Sequence, residues 1–325
     1  YTALYQENSL IVALDKLAAS QSRNEILGVA SFFRGLIYYH LVSRYGEVPI
    51  LEAPFSGDIA ASTEEEGWSF VEKNFQVAID YAPTFSDKYY VSKQAAKALM
   101  ARTKLAQGKL TEAAKLAEEV IGDANFSLAD FDQIFRGKAN REEIFSFVNL
   151  LNESSVNLSA SLYSRASANG GSYTYAPTTK VMNMFEPDDK RTAISIDMQE
   201  TNEVINKYPG GEVTTDPIII TRLGEMYLIS AEAQGLSKGL SRLNELRNFR
   251  GLPSVHPATE EDFIDAILNE RHTELLAEGF RWFDLVRLNR LESDLGFERK
   301  YNRLPIPAKE RSLNKLLNQN SYWAN

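Results

Sequence analysis

Cysteine is absent from this sequence of 325 residues, and histidine is scarce. The lack of cysteine excludes thiol catalysis, cysteine-based zinc sites and iron–sulfur clusters. The three histidines include no pair at the spacing of a helical zinc site, so we expect no histidine-rich metal site and predict neither metal nor cofactor. These histidines are His40, His256 and His272.

Runs of basic residues are missing too. Asp and Glu together number 44 and Lys and Arg 35, so the formal net charge is −9. Because phosphate neutralisation supplies most of the affinity for nucleic acid, we predict no nucleic-acid partner. No apolar run approaches the roughly 20 residues that cross a bilayer, and no signal peptide is visible at Tyr1. The hydrophobic fraction of 44% is typical of a globular domain.

Apolar residues recur at helical spacing towards both ends of the chain. Residues 26–45 and 68–82 each carry one apolar stripe, which predicts two amphipathic helices. Gly46 occupies the usual stop position of the first helix. Thr63 and Glu66 fit a capping box before the second helix, and Ser62 is an equal candidate for the cap.

The clearest helix pair is predicted at residues 92–107 and 111–121, with Thr111 as the cap of the second helix. The short connection through Gly108 makes the two helices antiparallel, and the many alanines allow them to approach closely. This is the pattern of a tetratricopeptide unit. Further helices are predicted at 219–235, 238–249 and 260–279.

Residues 123–217 lack this helical period. A strand is predicted at 144–148, and residues 152–180, rich in Ser, Asn, Gly and Tyr, predict a long loop of the kind that is usually functional or mobile. We therefore predict a mainly helical, all-α single domain over 1–325. Its parts are a helix-pair scaffold at 1–122 and 218–290, a loop-rich insertion at 123–217 and an extended tail at 291–325.

A charged segment near the end of the chain has two interpretations. Glu270, Glu274 and Glu278 share one helical face, and arginines interleave with them. A pair of these carboxylates could perform acid–base work on a glycosidic bond. Alternatively, they form a partly buried ion-pair network with arginine, which would depress their pKa values and make them poor general acids. We favour the network, in which the interleaved arginines are Arg271, Arg281 and Arg287.

Three blocks of residues, in a fixed order along the chain, carry a family resemblance. They are residues 31–50, which end in a Tyr-Gly-x-Val-Pro turn, 222–233 with 243–248, and 267–271 through 278–287. Residues 304–307 and 318–322 fit the same family's ending. In these blocks the chain resembles the SusD/RagB family, the cell-surface nutrient-binding lipoproteins of the Bacteroidota.

The resemblance implies a mainly α fold of tetratricopeptide-like helix pairs with a loop-rich region that carries the ligand site. It also implies an outer-membrane lipoprotein that faces the exterior, although the lipidated cysteine is absent from this sequence. Members act as a lid on a SusC-like TonB-dependent β-barrel transporter and capture glycans, or in some cases peptides, without catalysis.

The family's binding residues vary with the ligand, so we choose candidates from chemistry. Sugars are bound by flat aromatic faces and by polar groups that read hydroxyls, and the loops between the helices offer both. Tyr173 and Tyr175 alternate, so they share a face if the chain is extended there. The candidates are Tyr163, Arg165, Asn169, Tyr173 and Tyr175 in the long loop, Phe55 and Asp58 after Pro49, and Tyr89 and Tyr90 before a helix.

Other functions remain open alongside glycan capture. A polar, extended groove without a stacking platform would favour oligopeptide capture. A large exposed apolar face would favour a helical-repeat adaptor for protein partners. Two carboxyl groups about 5–10 Å apart in a cleft without arginine would favour a glycoside hydrolase.

Overall fold

The computed structural model describes residues 1–150, 158–163, 171–208, 216 and 218–324. Helices dominate these residues, which confirms the mainly α-helical class. The helices are α1 (Thr2–Leu14), α2 (Gln21–Tyr45), α3 (Glu64–Tyr81), α4 (Lys93–Ala106), α5 (Leu110–Ile121), α6 (Phe131–Phe135), α7 (Leu158–Leu162), α8 (Thr179–Met182), α9 (Thr192–Ser195), α10 (Leu223–Phe249), α11 (Glu260–Glu274), α12 (Arg281–Arg287), α13 (Leu291–Leu295) and α14 (Ala308–Leu313). The strands are β1 (Glu143–Phe147), β2 (Ile196–Gln199), β3 (Asn202–Ile205) and β4 (Ile218–Arg222).

The chain divides into two compact units. The first contains Tyr1–Ser86, Val91–Ala113 and Trp282–Asn325, and the second contains Asp87–Tyr90 and Ala114–Arg281. These units cut across the predicted scaffold and insertion, because the two ends of the chain meet in the first unit.

Helices α2 and α3 form the centre of the first unit and pack at glycine positions. A Cβ atom at Gly28 would lie 2.3 Å from the backbone nitrogen of Ala82, and one at Gly67 would lie 2.7 Å from the side chain of Val42. The start of α2 thus meets the end of α3, and the end of α2 meets the start of α3. The two helices are therefore antiparallel and too close to accommodate side chains at these glycines.

Of the two cap candidates for α3, Thr63 is the one that caps the helix, whereas the cap predicted for α5 is wrong. The Thr63 hydroxyl accepts from the Glu66 amide at 3.2 Å, and a Glu66 carboxylate oxygen accepts from the Thr63 amide at 2.8 Å. Helix α5 begins at Leu110, one residue before Thr111. The carbonyl of Lys109 already accepts from the amide four residues later, so the first helical turn closes before Thr111.

Helix α10 of the second unit reverses direction at Gly235, which has φ 69° and ψ 177°. A Cβ atom at Gly239 would lie 1.8 Å from the carbonyl oxygen of Ala231, and the Tyr227 hydroxyl donates to Glu245 at 3.0 Å. Each pair is almost equidistant from Gly235 in sequence, so the two arms run antiparallel. This confirms a helix pair with a turn near 235.

The strands of the second unit form two antiparallel pairs, β1 with β4 and β2 with β3. The strand predicted near 144–148 is confirmed as β1. Residues 219–222, predicted as helical, belong to β4 because they pair with β1. The hairpin of β2 and β3 was not predicted. Helix α11 ends at Glu274 rather than 279, because Ala277 adopts a φ of 60° that no right-handed helix allows.

Helix α2 is long and apolar enough to cross a membrane by length and composition, which the sequence analysis did not anticipate. More than half of this apolar stretch is buried, and α2 packs against α1 and α3. It also holds the buried Arg34, which donates to Asn74 at 2.6 Å and to Asn8 at 3.2 Å. These are the surroundings of a core helix.

Candidate functional site

The three glutamates of the charged segment are buried and ion-paired. The side chains of Glu270 and Glu278 are 2% exposed and that of Glu274 is 0% exposed. One guanidinium nitrogen of Arg191 lies 2.6 Å from Glu270 and 2.8 Å from Glu274, and the Lys207 amine lies 2.7 Å from Glu278. The carboxylates therefore do not line an open cleft.

Two further arginines join these glutamates to Glu142. Arg222 lies 2.6 Å from Glu274 and 2.7 Å from Glu142, and Arg250 lies 2.8 Å and 2.9 Å from the same two residues. Among the described residues, ion pairs between buried side chains connect at least ten, five cationic and five anionic, and we call these ten the buried ion network. Its members are Arg191, Lys207, Arg222, Arg247, Arg250, Glu142, Asp189, Glu270, Glu274 and Glu278.

The network confirms the structural interpretation of the charged segment, and it contains four arginines that were not expected, Arg191, Arg222, Arg247 and Arg250. Of the arginines expected there, Arg287 pairs with Asp284 at 2.9 Å, and Arg281 donates to the carbonyl of Leu268 at 3.2 Å. Helical spacing identifies neighbours on one helix surface, whereas the actual partners come from other elements that the fold brings to α11.

Electrostatics keep two glutamates of the network, Glu274 and Glu278, ionised. Burial alone would raise the pKa of Glu274, but Arg250, Arg222 and Arg191 outweigh it and hold this pKa well below its usual value. For Glu278, burial acts in the same direction, and Arg222 again outweighs it to lower the pKa. A carboxylate stabilised in its charged form is a poor proton donor, so these two glutamates are unsuited to general acid catalysis.

A short turn in the second unit presents two tyrosines. Asp87 accepts from the Tyr89 amide at 2.9 Å through its carboxylate and from the Tyr90 amide at 3.2 Å through its carbonyl. The carbonyl of Lys88 accepts from the Ser146 amide of β1 at 2.9 Å. We call Asp87–Tyr90 the tyrosine turn. Its backbone is fixed both within the turn and to β1.

Large apolar side chains are exposed around the tyrosine turn. Tyr90 is 69% exposed and Tyr89 38%. Phe147 and Val148 follow the strand residue that bonds to the turn, and both are exposed. We call these four residues the turn surface. Sequence reasoning missed Phe147 and Val148. A regular strand would place Phe147 on the same face as the buried Phe145, and the irregular register between Phe145 and Ser146 breaks that alternation.

The tyrosines predicted in the long loop have different environments. Tyr163 is buried, and its hydroxyl donates at 2.9 Å to the amide oxygen of Asn206, so this ring packs inside the unit. Tyr173 has φ 51° and donates to a carbonyl of β3, so the extended chain that would place it on one face with Tyr175 is not present. Tyr175 is 65% exposed. Arg165 and Asn169 lie outside the described residues.

Phe55 and Asp58 lie on the loop after Pro49 in the first unit. Phe55 is exposed, and Asp58 accepts from the backbone amide of Lys315 at 3.0 Å. The beginning of the same loop forms one wall of a groove of about 380 Å³ with an apolar floor and a charged rim. The groove is lined by Ile50, Glu52, Glu65, Glu66, Ser69, Phe70 and Lys73.

The surroundings of His40 are not those of a metal-binding histidine. Its ring nitrogen lies 2.6 Å from a guanidinium nitrogen of Arg44, and burial, assisted by Arg44 and Arg102, lowers its pKa to about 3. Its imidazole is therefore neutral at ordinary pH. Within the described ranges, no group of three or more histidines, aspartates or glutamates is arranged to hold a metal ion.

Comparison with known proteins identifies the family. The model of the SusD family matches residues 130–302, which is more than half of the chain. A second model, described as "Starch-binding associating with outer membrane", matches residues 1–105 and supports an association with the outer membrane. The chain belongs to the SusD family, which confirms the resemblance seen in its sequence blocks.

Relatives and solved structures agree with this assignment. The SusD-like protein P2 of Formosa agariphila is 26% identical over an alignment of 372 residues, which covers 92% of this chain and 74% of that protein. A SusD superfamily protein from Bacteroides vulgatus has a TM-score of 0.88 at 22% identity, over 99% of this chain and 84% of that one. A laminarin-binding SusD-like protein has a TM-score of 0.84 at 24% identity, over 98% and 83%. These two structural matches establish the shared fold.

Proposed function

We propose that this protein captures glycans at the outer face of the outer membrane, to which a lipid anchor attaches it. It delivers them, without catalysis, to a TonB-dependent β-barrel transporter. Membership of the SusD family supports glycan binding, and the similar fold of a laminarin-binding protein agrees with it. The buried carboxylates of Glu274 and Glu278, whose pKa values are lowered, agree with a role that involves no proton transfer.

The observation that carries the proposal is the turn surface. Three hydrogen bonds fix the backbone of the tyrosine turn, so an exposed ring on it can receive a ligand with little further ordering of the chain. Tyr90 is such a ring, and Tyr89 and Phe147 extend the aromatic area beside it. An aromatic face can cover the C–H side of a sugar ring, while the phenol hydroxyl remains available for hydrogen bonding.

The other candidate residues are proposed as additional contacts. Tyr175 offers a second exposed ring in the second unit, and Tyr173 lies two residues before it. Phe55 and Asp58 offer an aromatic ring and a carboxylate in the first unit. Tyr163 is not included, because its ring is buried.

A polysaccharide array that includes laminarin and soluble starch, followed by calorimetric titration, tests glycan capture. We expect saturable binding of at least one polysaccharide and an affinity loss of at least about tenfold in Tyr90→Ala, as for an aromatic side chain at the centre of an interface. Tyr5→Ala is the matched control, because Tyr5 is 59% exposed on α1 of the first unit. No saturable binding to any polysaccharide would overturn the proposal, as would release of reducing ends from a bound one.

Delivery to a transporter requires a stable partner. Purification of the full-length lipoprotein from outer membranes in mild detergent is expected to recover a TonB-dependent β-barrel with it. Recovery of the lipoprotein alone under conditions that preserve other outer-membrane complexes would contradict this part of the proposal.

Oligopeptide capture is the second candidate, and the groove of the first unit favours it. The groove has a charged rim, and the one aromatic ring in its lining, Phe70, is itself buried, so it offers no broad stacking platform. Fluorescence anisotropy with labelled peptide mixtures tests this function. Glu65→Gln should weaken peptide binding, whereas Glu261→Gln should not, since each residue is the second of a capped helix but only Glu65 lines the groove.

A further inference from the structure

We propose that Lys88 and Glu143 are positioning residues for the glycan site, because the ion pair between them holds the tyrosine turn in its binding conformation. This inference rests on the proposed function and assigns a role to two residues that do not themselves form the turn surface. The argument depends on where the pair lies, how it is buried and what it contacts.

The ion pair connects the turn to the interior of the second unit. The amine of Lys88 lies 2.5 Å from a carboxylate oxygen of Glu143 on β1. The Lys88 amine also lies 5.2 Å from the centre of the Tyr89 ring, within the range of a cation–π contact. One ammonium group thus contacts both the buried carboxylate and an aromatic ring of the turn surface.

Contacts other than the one with Lys88 also hold the Glu143 side chain in place. Its side chain is 0% exposed, and it accepts from the Asn140 amide and from the Ser146 hydroxyl, each at 2.8 Å. A buried carboxylate without a cation is strongly unfavourable, so the Lys88 amine is drawn to this position. The Lys88 side chain is 18% exposed, so the pair lies at the edge of the interior, directly under the turn.

This connection lowers the cost of binding. Binding to mobile side chains loses free energy because the ligand must order them, whereas side chains that are already ordered in the folded protein impose no such loss. The backbone bond from the Ser146 amide to the Lys88 carbonyl fixes the middle of the turn, and the ion pair fixes the side chain of the same residue. Loss of the pair should therefore release Tyr89 and Tyr90 together.

The test compares a double variant, a conservative variant and a control by calorimetric titration with the polysaccharide that binds best on the array. Lys88→Met alone is not used, because it leaves the buried Glu143 carboxylate without a cation and can destabilise the fold. The double variant Lys88→Met with Glu143→Gln removes both charges and keeps hydrogen-bond partners for the amide, so it should fold. Lys88→Arg keeps the charge, and Lys138→Met is the matched control, since Lys138 pairs with Asp132 at the exposed surface of the same unit.

We expect the double variant to melt close to the wild type yet to bind about three- to tenfold more weakly, with faster hydrogen exchange of the Ser146 amide. Lys88→Arg should restore most of the affinity, and Lys138→Met should change neither property. Unchanged affinity in the double variant, with a loss in Tyr90→Ala, would overturn the positioning role and leave the glycan site intact. Unchanged affinity in Tyr90→Ala would instead refute the proposed site.

Discussion

Replacement of Glu274 by glutamine should strongly destabilise the second unit. The Glu274 carboxylate is completely buried and contacts three guanidinium groups, at 2.8 Å to Arg191, 2.6 Å to Arg222 and 2.8 Å to Arg250. Glutamine has nearly the same shape, but it removes the negative charge and places an NH2 group, which can only donate, against guanidinium donors. The network would then hold five cations and four anions.

The expected cost follows from the uncompensated charge. Removing one partner of a buried ion pair costs about 3–5 kcal/mol, because the remaining charge stays buried. For a unit of this size, that corresponds to a fall in melting temperature of roughly 6–20 °C. Since Glu274 lies in the framework, any variant that is still folded at the assay temperature should bind glycan with unchanged affinity.

Glu186→Gln is the matched control for this change. Glu186 also pairs with a network arginine, Arg247 at 2.9 Å, but its side chain is 48% exposed, so its loss should cost less than about 1 kcal/mol. Chemical denaturation of both variants, followed by circular dichroism, measures the difference. Equal, small effects of the two substitutions would refute the reasoning that burial makes the network essential.

Two further predictions concern the first unit. Gly28→Ala should lower the unfolding free energy by about 1–3 kcal/mol, because the new methyl group would lie 2.3 Å from the backbone nitrogen of Ala82. Gly122→Ala in the second unit is the control and should cost less in the same denaturation assay, because its methyl group would meet one backbone oxygen at 3.3 Å. His40 has a pKa lowered to about 3 in the folded state against 6.5 unfolded, so only the unfolded state takes up its proton between these values, and stability should fall by about 1.4 kcal/mol per pH unit from pH 6.5 towards pH 3. His40→Gln should remove this part of the pH dependence in urea titrations between pH 7 and pH 5.

Much of the helical framework could be predicted because its signals are local. The stop at Gly46 was identified correctly, and Thr63 was one of two candidates for the cap of α3, because both signals involve neighbouring residues. The prediction of Thr111 as a cap was wrong, because the cap position depends on which backbone hydrogen bond closes the first turn. Residues 219–222 of β4 were predicted as helical, because their apolar pattern fits a helix until the pairing with β1 is known.

The site was harder to predict than the framework, since its residues converge from distant parts of the chain. Sequence spacing placed Glu270, Glu274 and Glu278 in an ion network but could not identify Arg191 or Arg222, which the fold brings from far away in sequence. The turn surface follows the same rule: Tyr89 and Tyr90 were recognisable as a pair, but the bond to Ser146 that adds Phe147 is a tertiary contact. Tyr163 was misjudged because a polar tip does not reveal whether a ring is buried.

The central claim is that the buried ion network is framework while exposed tyrosines hold the glycan. One measurement tests it directly: calorimetric titration of the best-binding polysaccharide into Tyr90→Ala and Glu274→Gln, at a temperature where both variants are folded. We predict a loss of at least about tenfold for Tyr90→Ala and a change of less than about twofold for Glu274→Gln. A loss of affinity confined to Glu274→Gln would contradict the claim.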